Sequence, residues 1–83
     1  MSQSLIQNLL DALSHSPENI PLRLQVADLM VSEKMFAEAA EQYQLVLDKS
    51  YGNTKAQLGL ARCYFAQTKY STAIIIYEQI GNM

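Results

Sequence analysis

Two stretches of this chain match each other at an offset of 34 residues. Leu24 recurs as Leu58, Ala27 as Ala61, Ala39 as Ala73 and Tyr43 as Tyr77, and Asn19 recurs as Asn53. Conservative partners fill the intervals: Val26 with Leu60, Met30 with Tyr64, Phe36 with Tyr70, Val46 with Ile80. Self-similarity at a fixed period of this length is the mark of a stacked array. Each unit is too small to bury its own apolar face and depends on its neighbour to do so. Arrays of this kind present extended surfaces, so binding is the work to expect.

The spacing of apolar residues predicts five helices. The first covers residues 4–14, with Leu5, Leu9, Ala12 and Leu13 on one stripe. Ser16-Pro17-Glu18-Asn19 is a turn, because proline disfavours the helical conformation of the residue before it. The second helix covers 20–32. Asn19 is its expected N-cap, Pro21 is tolerated in its first turn, and Leu22, Val26, Leu29 and Met30 face inward. The third covers 36–49, with Phe36, Ala39, Ala40, Tyr43, Val46 and Leu47 inward. A turn at Ser50-Tyr51-Gly52-Asn53 follows, where Gly52 is free to take positive φ. The fourth covers 54–67, capped by Asn53 or Thr54, with Leu60, Ala61, Cys63 and Tyr64 inward. The fifth covers 70–80, and Gly81 supplies a C-terminal cap signal.

Composition removes several classes of function. The chain has 83 residues, a net charge of −2 and only six basic residues, none adjacent to another. That argues against nucleic acid, which requires a basic face, and against a polybasic membrane patch. The longest apolar run, Ala73-Ile74-Ile75-Ile76-Tyr77, is far short of the roughly 20 residues of a membrane span. Met1-Ser2-Gln3-Ser4 lacks the basic flank of a signal peptide, and the single cysteine, Cys63, has no partner for an internal disulfide. The expected location is therefore cytoplasmic.

The residues that carry chemistry are sparse. His15 and Cys63 lie on different helices and fall short of the usual ligand count for a metal. Cys63 belongs to an inward stripe, which marks it as a small buried hydrophobe. The glycines are too dispersed for a phosphate-binding loop, and no serine has a nucleophile-elbow setting. Glu38 and Glu41 are three residues apart on a solvated face. Neither an enzyme nor a cofactor is expected.

At the repeated positions the sequence resembles the tetratricopeptide repeat family. The second unit reads Gln57, Leu60-Ala61, Tyr64, Ala73, Tyr77, Ile80. The first reads Arg23, Val26-Ala27, Met30, Ala39, Tyr43, Val46, then Tyr51 where the family has proline. Ser16-Pro17-Glu18-Asn19 is similar to the family's inter-repeat turn. The resemblance implies an all-α solenoid of two helix–turn–helix units, residues 20–53 and 54–83. One extra helix, a cap or half-repeat at 4–14, precedes them within a single domain of residues 1–83. Two departures stand out. Lys34 and Thr68 occupy the place of the glycine that normally turns between paired helices, and a left-handed backbone there costs on the order of 1 kcal/mol each.

In that family the first helix of each unit lines the inner face. The groove then comprises Leu24, Asp28 and Val31 of one unit and Lys55, Leu58, Arg62 and Phe65 of the next, a set that helical period also places off the inward stripes. Asp28 and Arg62, 34 apart, should stand side by side. Two readings remain: a groove for a peptide or partner helix, or an ordinary surface with scattered apolar residues. Leu24 and Asp28 stand where chaperone-tail binders carry Lys and Asn, which argues against a C-terminal carboxylate as ligand. A second candidate surface is the last helix, with Ile75, Ile76 and Ile80. It suggests a homodimer, a self-associating structural role, or packing against a further domain. The Ser16–Leu24 stretch also looks similar to N-terminal segments of some bacterial AAA-class ATPases, which would make the chain an adaptor with catalysis elsewhere.

Overall fold

The computed structural model describes residues 2–81, which form five helices: α1 (Ser2–Ser14), α2 (Ile20–Ser32), α3 (Phe36–Lys49), α4 (Thr54–Ala66) and α5 (Tyr70–Gly81). The chain is an all-α solenoid. α2 pairs with α3 and α4 with α5, while α1 packs on α2 ahead of them. α3 lies between α2 and α4, whereas among the described residues α5 packs on α4 alone. The last two residues of the expected second unit, 82 and 83, lie outside the described residues.

The repeat is physical down to its caps. The Asn19 side-chain oxygen accepts from Leu22 N–H at 3.1 Å, and that of Asn53 from Ala56 N–H at 3.0 Å. Each satisfies one of the orphan donors of a first turn. Both first helices also stop in the same way. Lys34 and Thr68 take φ of 62° and 63°. Met35 N–H then donates to Met30 O and Lys34 N–H to Val31 O, and Lys69 and Thr68 repeat this pattern onto Tyr64 and Phe65. This is the Schellman arrangement, which satisfies the last carbonyls of a helix. In the second copy the Lys69 ammonium lies 5.6 Å from the centre of the Tyr64 ring, where an apolar contact usually closes the motif.

Three expectations need correction. Gly52 does not use its freedom, since no described glycine has positive φ. The turn closes through Asn53 N–H to Ser50 O at 2.9 Å, a geometry open to ordinary residues. Gly81 is the last described residue of α5, without the left-handed backbone of a cap. On α1 the inward stripe is Ile6 and Leu13, both buried, with half-buried Leu9 and Leu10 beside them, while Leu5 is 47% exposed and Ala12 is also exposed.

The reason for the shift on α1 lies in the packing order. Ile6, Leu9 and Leu13 are 34 residues before Ala40, Tyr43 and Leu47, the side of α3 turned to the helix that follows. Leu5 and Ala12 correspond to Ala39 and Val46. The α5 member of the Ala39 set, Ala73, is fully buried on a helix whose sole partner precedes it. These positions therefore face backward along the array. Among the described residues α1 has no helix behind it, so its backward stripe stays in solvent.

Candidate binding groove

α2 and α4 are the first helices of successive units and touch along one side of the array. Between them runs a cleft of about 590 Å³, lined by Leu24 and Asp28 from α2 and by Asn53, Thr54 and Lys55 from the start of α4. Two smaller recesses continue it. One, of about 210 Å³, takes in Asp28, Val31, Tyr43, Gly59 and Arg62. The other, of about 200 Å³, adds Lys55 and Leu58. Asp28 lines all three. Thus Leu24, Asp28, Val31, Lys55, Leu58 and Arg62 come together on one surface. Phe65 lines none of these recesses. Its ring meets Tyr70 edge-on, with centroids 5.0 Å apart and planes at 66°.

The centre of the groove is a three-helix contact. Tyr43 rises from α3, is 3% exposed, and donates its hydroxyl to Asp28 Oδ1 of α2 at 2.5 Å. Burial, then the hydrogen bond to Asp28 and its negative charge, push the Tyr43 phenol well above its ordinary pKa. Arg62 pulls weakly the other way. Against the same ring lies Gly59 of α4. A Cβ at Gly59 would fall 2.3–2.6 Å from three Tyr43 ring atoms. Asp28 and Arg62 share two recesses, yet the one salt bridge among the described residues joins Lys49 to Glu18 at 3.4 Å. Asp28 has Tyr43 as its hydrogen-bond partner instead.

The sequence pattern alone assigns Gly59 no role. A signal was present: glycine inside a helix costs roughly 0.5–1 kcal/mol relative to alanine, so it needs a packing reason. The reason is the aromatic ring of the preceding unit.

The residues of the last helix divide. Ile76 and Ile80 are half-buried, Ile76 packs against the core, and Ile75 is 56% exposed. Ile76 shares a cleft with Gln57. In the first unit Arg23, the counterpart of Gln57, donates to Pro17 O at 3.1 Å and to Gln42 Oε1 at 2.7 Å. Gln57 Nε2 keeps the first of these links, to Tyr51 O at 3.4 Å. Ile76 replaces Gln42, and Gln57 Oε1 is left buried without a partner.

Two side chains could carry chemistry, Cys63 of α4 and His15 just beyond α1. Cys63 is fully buried, and burial pushes its thiol up to about 11, which keeps it neutral at physiological pH. His15 sits at the end of α1 with Nδ1 2.9 Å from Asp11 O. Among the described residues no cluster of three His, Cys, Asp or Glu side chains is placed to hold a metal ion, and no helix is long and apolar enough to cross a membrane.

The family profile described as "Tetratricopeptide repeat" matches residues 30–82, well over half of the chain. The chain belongs to the tetratricopeptide repeat family. No curated protein and no solved structure matches it. Tetratricopeptide repeats are generally protein-interaction modules, and their surfaces rather than reactive side chains do the work. The match begins at Met30, near the end of α2, so the paired Asn caps and the 34-residue offset are what tie α2 to the array.

Proposed function

We infer that this tetratricopeptide protein is a non-catalytic interaction module that takes an extended peptide or a partner helix in the groove between α2 and α4. The observation that carries this reading is the continuity of the groove through Asp28. Half-buried Leu24, Val31 and Leu58 offer apolar contact, and exposed Lys55, Arg62 and Asp28 orient the ligand. Two cations against one carboxylate, itself occupied by Tyr43, favour a ligand with an acidic group set between apolar side chains.

The test is selection of ligands from a random peptide library, followed by titration of the best peptides. Leu58→Glu combined with Arg62→Glu should weaken binding by about tenfold or more, equivalent to at least 1.4 kcal/mol. Unchanged affinity in a variant of native thermal stability would place the ligand elsewhere.

A further inference from the structure

Lys55 and Arg62 stand seven residues apart on α4, two helical turns and about 10.5 Å along one side of the helix. Leu58 lies between them. The recesses of the groove follow this row. The largest opens at Thr54 and Lys55, the next spans Lys55 to Arg62, and the last lies at Gly59 and Arg62. Both cations are exposed, and among the described residues neither has a salt-bridge partner. By contrast, Arg23 donates to Pro17 O and Gln42, Lys49 pairs with Glu18, and Lys69 lies over the Tyr64 ring.

A matching row of opposite charge is on α3. Glu41 and Asp48 are also seven residues apart, with Leu45 between them, and all three are exposed, Leu45 at 44%. Gln44 Nε2 donates to Asp48 Oδ1 at 3.2 Å, and among the described residues no cation pairs with either acid. At about 100° per residue these three side chains leave α3 roughly 140–160° away from Tyr43. Tyr43 reaches the floor of the groove, so the acidic row lies on the opposite face of the array. Neither row is a feature of the repeat. The counterparts of Lys55 and Arg62 one unit earlier are Pro21 and Asp28, and those of Glu41 and Asp48 are Gln7 and Ser14.

We propose, resting on the groove as the binding surface, that its occupant is the α3 ridge of a second copy of this chain. The ridge lies antiparallel along α4, so that Glu41 meets Arg62, Leu45 meets Leu58 and Asp48 meets Lys55. The intervals agree in that direction: four residues from Glu41 to Leu45 and from Arg62 to Leu58, then three from Leu45 to Asp48 and from Leu58 to Lys55. Asp28 fixes the lateral position, because its charge repels an acid that strays from α4 toward α2. Groove and ridge lie on opposite faces, so one pair of copies cannot fill both of each other's surfaces. The contact is head-to-tail and open-ended, and it builds stacks rather than a closed dimer.

Sedimentation velocity of the full chain over a concentration series, at about 0.02 M and about 0.5 M salt, tests this. The weight-average mass should climb past that of a dimer at low salt and fall at high salt. Lys55→Glu with Arg62→Glu, and separately Glu41→Lys with Asp48→Lys, should each weaken association by about tenfold or more. An equimolar mixture of the two variants should recover it, since each altered row then meets its complement, which damaged folding would not give. A monomer at every concentration in low salt overturns the proposal, as does association that neither variant changes, or a mixture no more associated than its components. If the groove then still takes library peptides, only the second copy as occupant is refuted. If it takes none, the groove is not the binding surface either.

Discussion

Lys34 holds a left-handed backbone at φ 62°, while Glu33, its neighbour, sits at φ −95°. Both side chains are exposed, and among the described residues neither makes a side-chain hydrogen bond or ion pair. Glycine at these adjacent positions should therefore act in opposite directions. A left-handed residue with a Cβ costs about 1–2 kcal/mol. Glycine removes that cost but gives back about 0.4–1 kcal/mol through the freedom of the unfolded chain. Lys34→Gly should thus stabilise by about 0.5–1 kcal/mol, and Glu33→Gly should destabilise by a similar amount because it adds freedom and relieves nothing. In a domain of this size each kcal/mol moves Tm by about 4–8 °C. Urea titrations should show the two midpoints displaced to either side of the parent, with m unchanged. Thr68→Gly, in the other hairpin, should add to Lys34→Gly. A Lys34→Gly midpoint below the parent, on the same side as Glu33→Gly, would refute the claim that the inter-helix turn stores backbone strain.

Other consequences are equally open to measurement. Gly59→Val should cost about 1–3 kcal/mol by overpacking against Tyr43, and urea melts should show the loss largely removed in a Tyr43→Ala background. Ile76→Gln restores the residue type of Gln42 opposite the orphaned Gln57 Oε1. Its melt should lie within about 1 kcal/mol of the parent, because the new hydrogen bond offsets the lost apolar burial. Cys63 should resist thiol reagents in the native protein and react at the rate of unfolding. Its thiol titrates at about 11 in the fold against an ordinary 9.0. The neutral form is thus favoured by folding, so the contribution of this thiol to stability is constant below about pH 9 and falls as pH rises toward 11. Cys63→Ala should flatten the first part of that decline in denaturant midpoints measured from pH 8.5 upward.

Periodicity made the helices legible. The starts of α2, α3, α4 and α5 fall where spacing and caps put them, because Asn19 and Asn53 are signals that act within one turn. The left-handed turns at Lys34 and Thr68 were legible only by reference to the family, since neither residue type advertises that backbone. The stripe of α1 differs from the expected one for a reason local pattern does not contain. Leu5 and Ile6 are both apolar, and the choice between them depends on which side the neighbouring helix occupies. The Asp28 pairing was likewise hidden. Sequence put Arg62 opposite by counting 34 residues, but Tyr43 reaches across from α3, and only packing shows that its hydroxyl arrives first.

Because Tyr43 touches the Asp28 carboxylate of α2 and the glycine of the next unit, the floor of the groove doubles as the keystone of the array. An engineer who wants a new ligand preference has little freedom there. Any change at Asp28, Tyr43 or Gly59 alters how the units sit on one another before it alters what they recognise. The rim is different: Leu24, Lys55, Leu58 and Arg62 keep solvent access, and none of them is in the buried core cluster. Retargeting should therefore be a matter of recolouring the rim while leaving the keystone untouched.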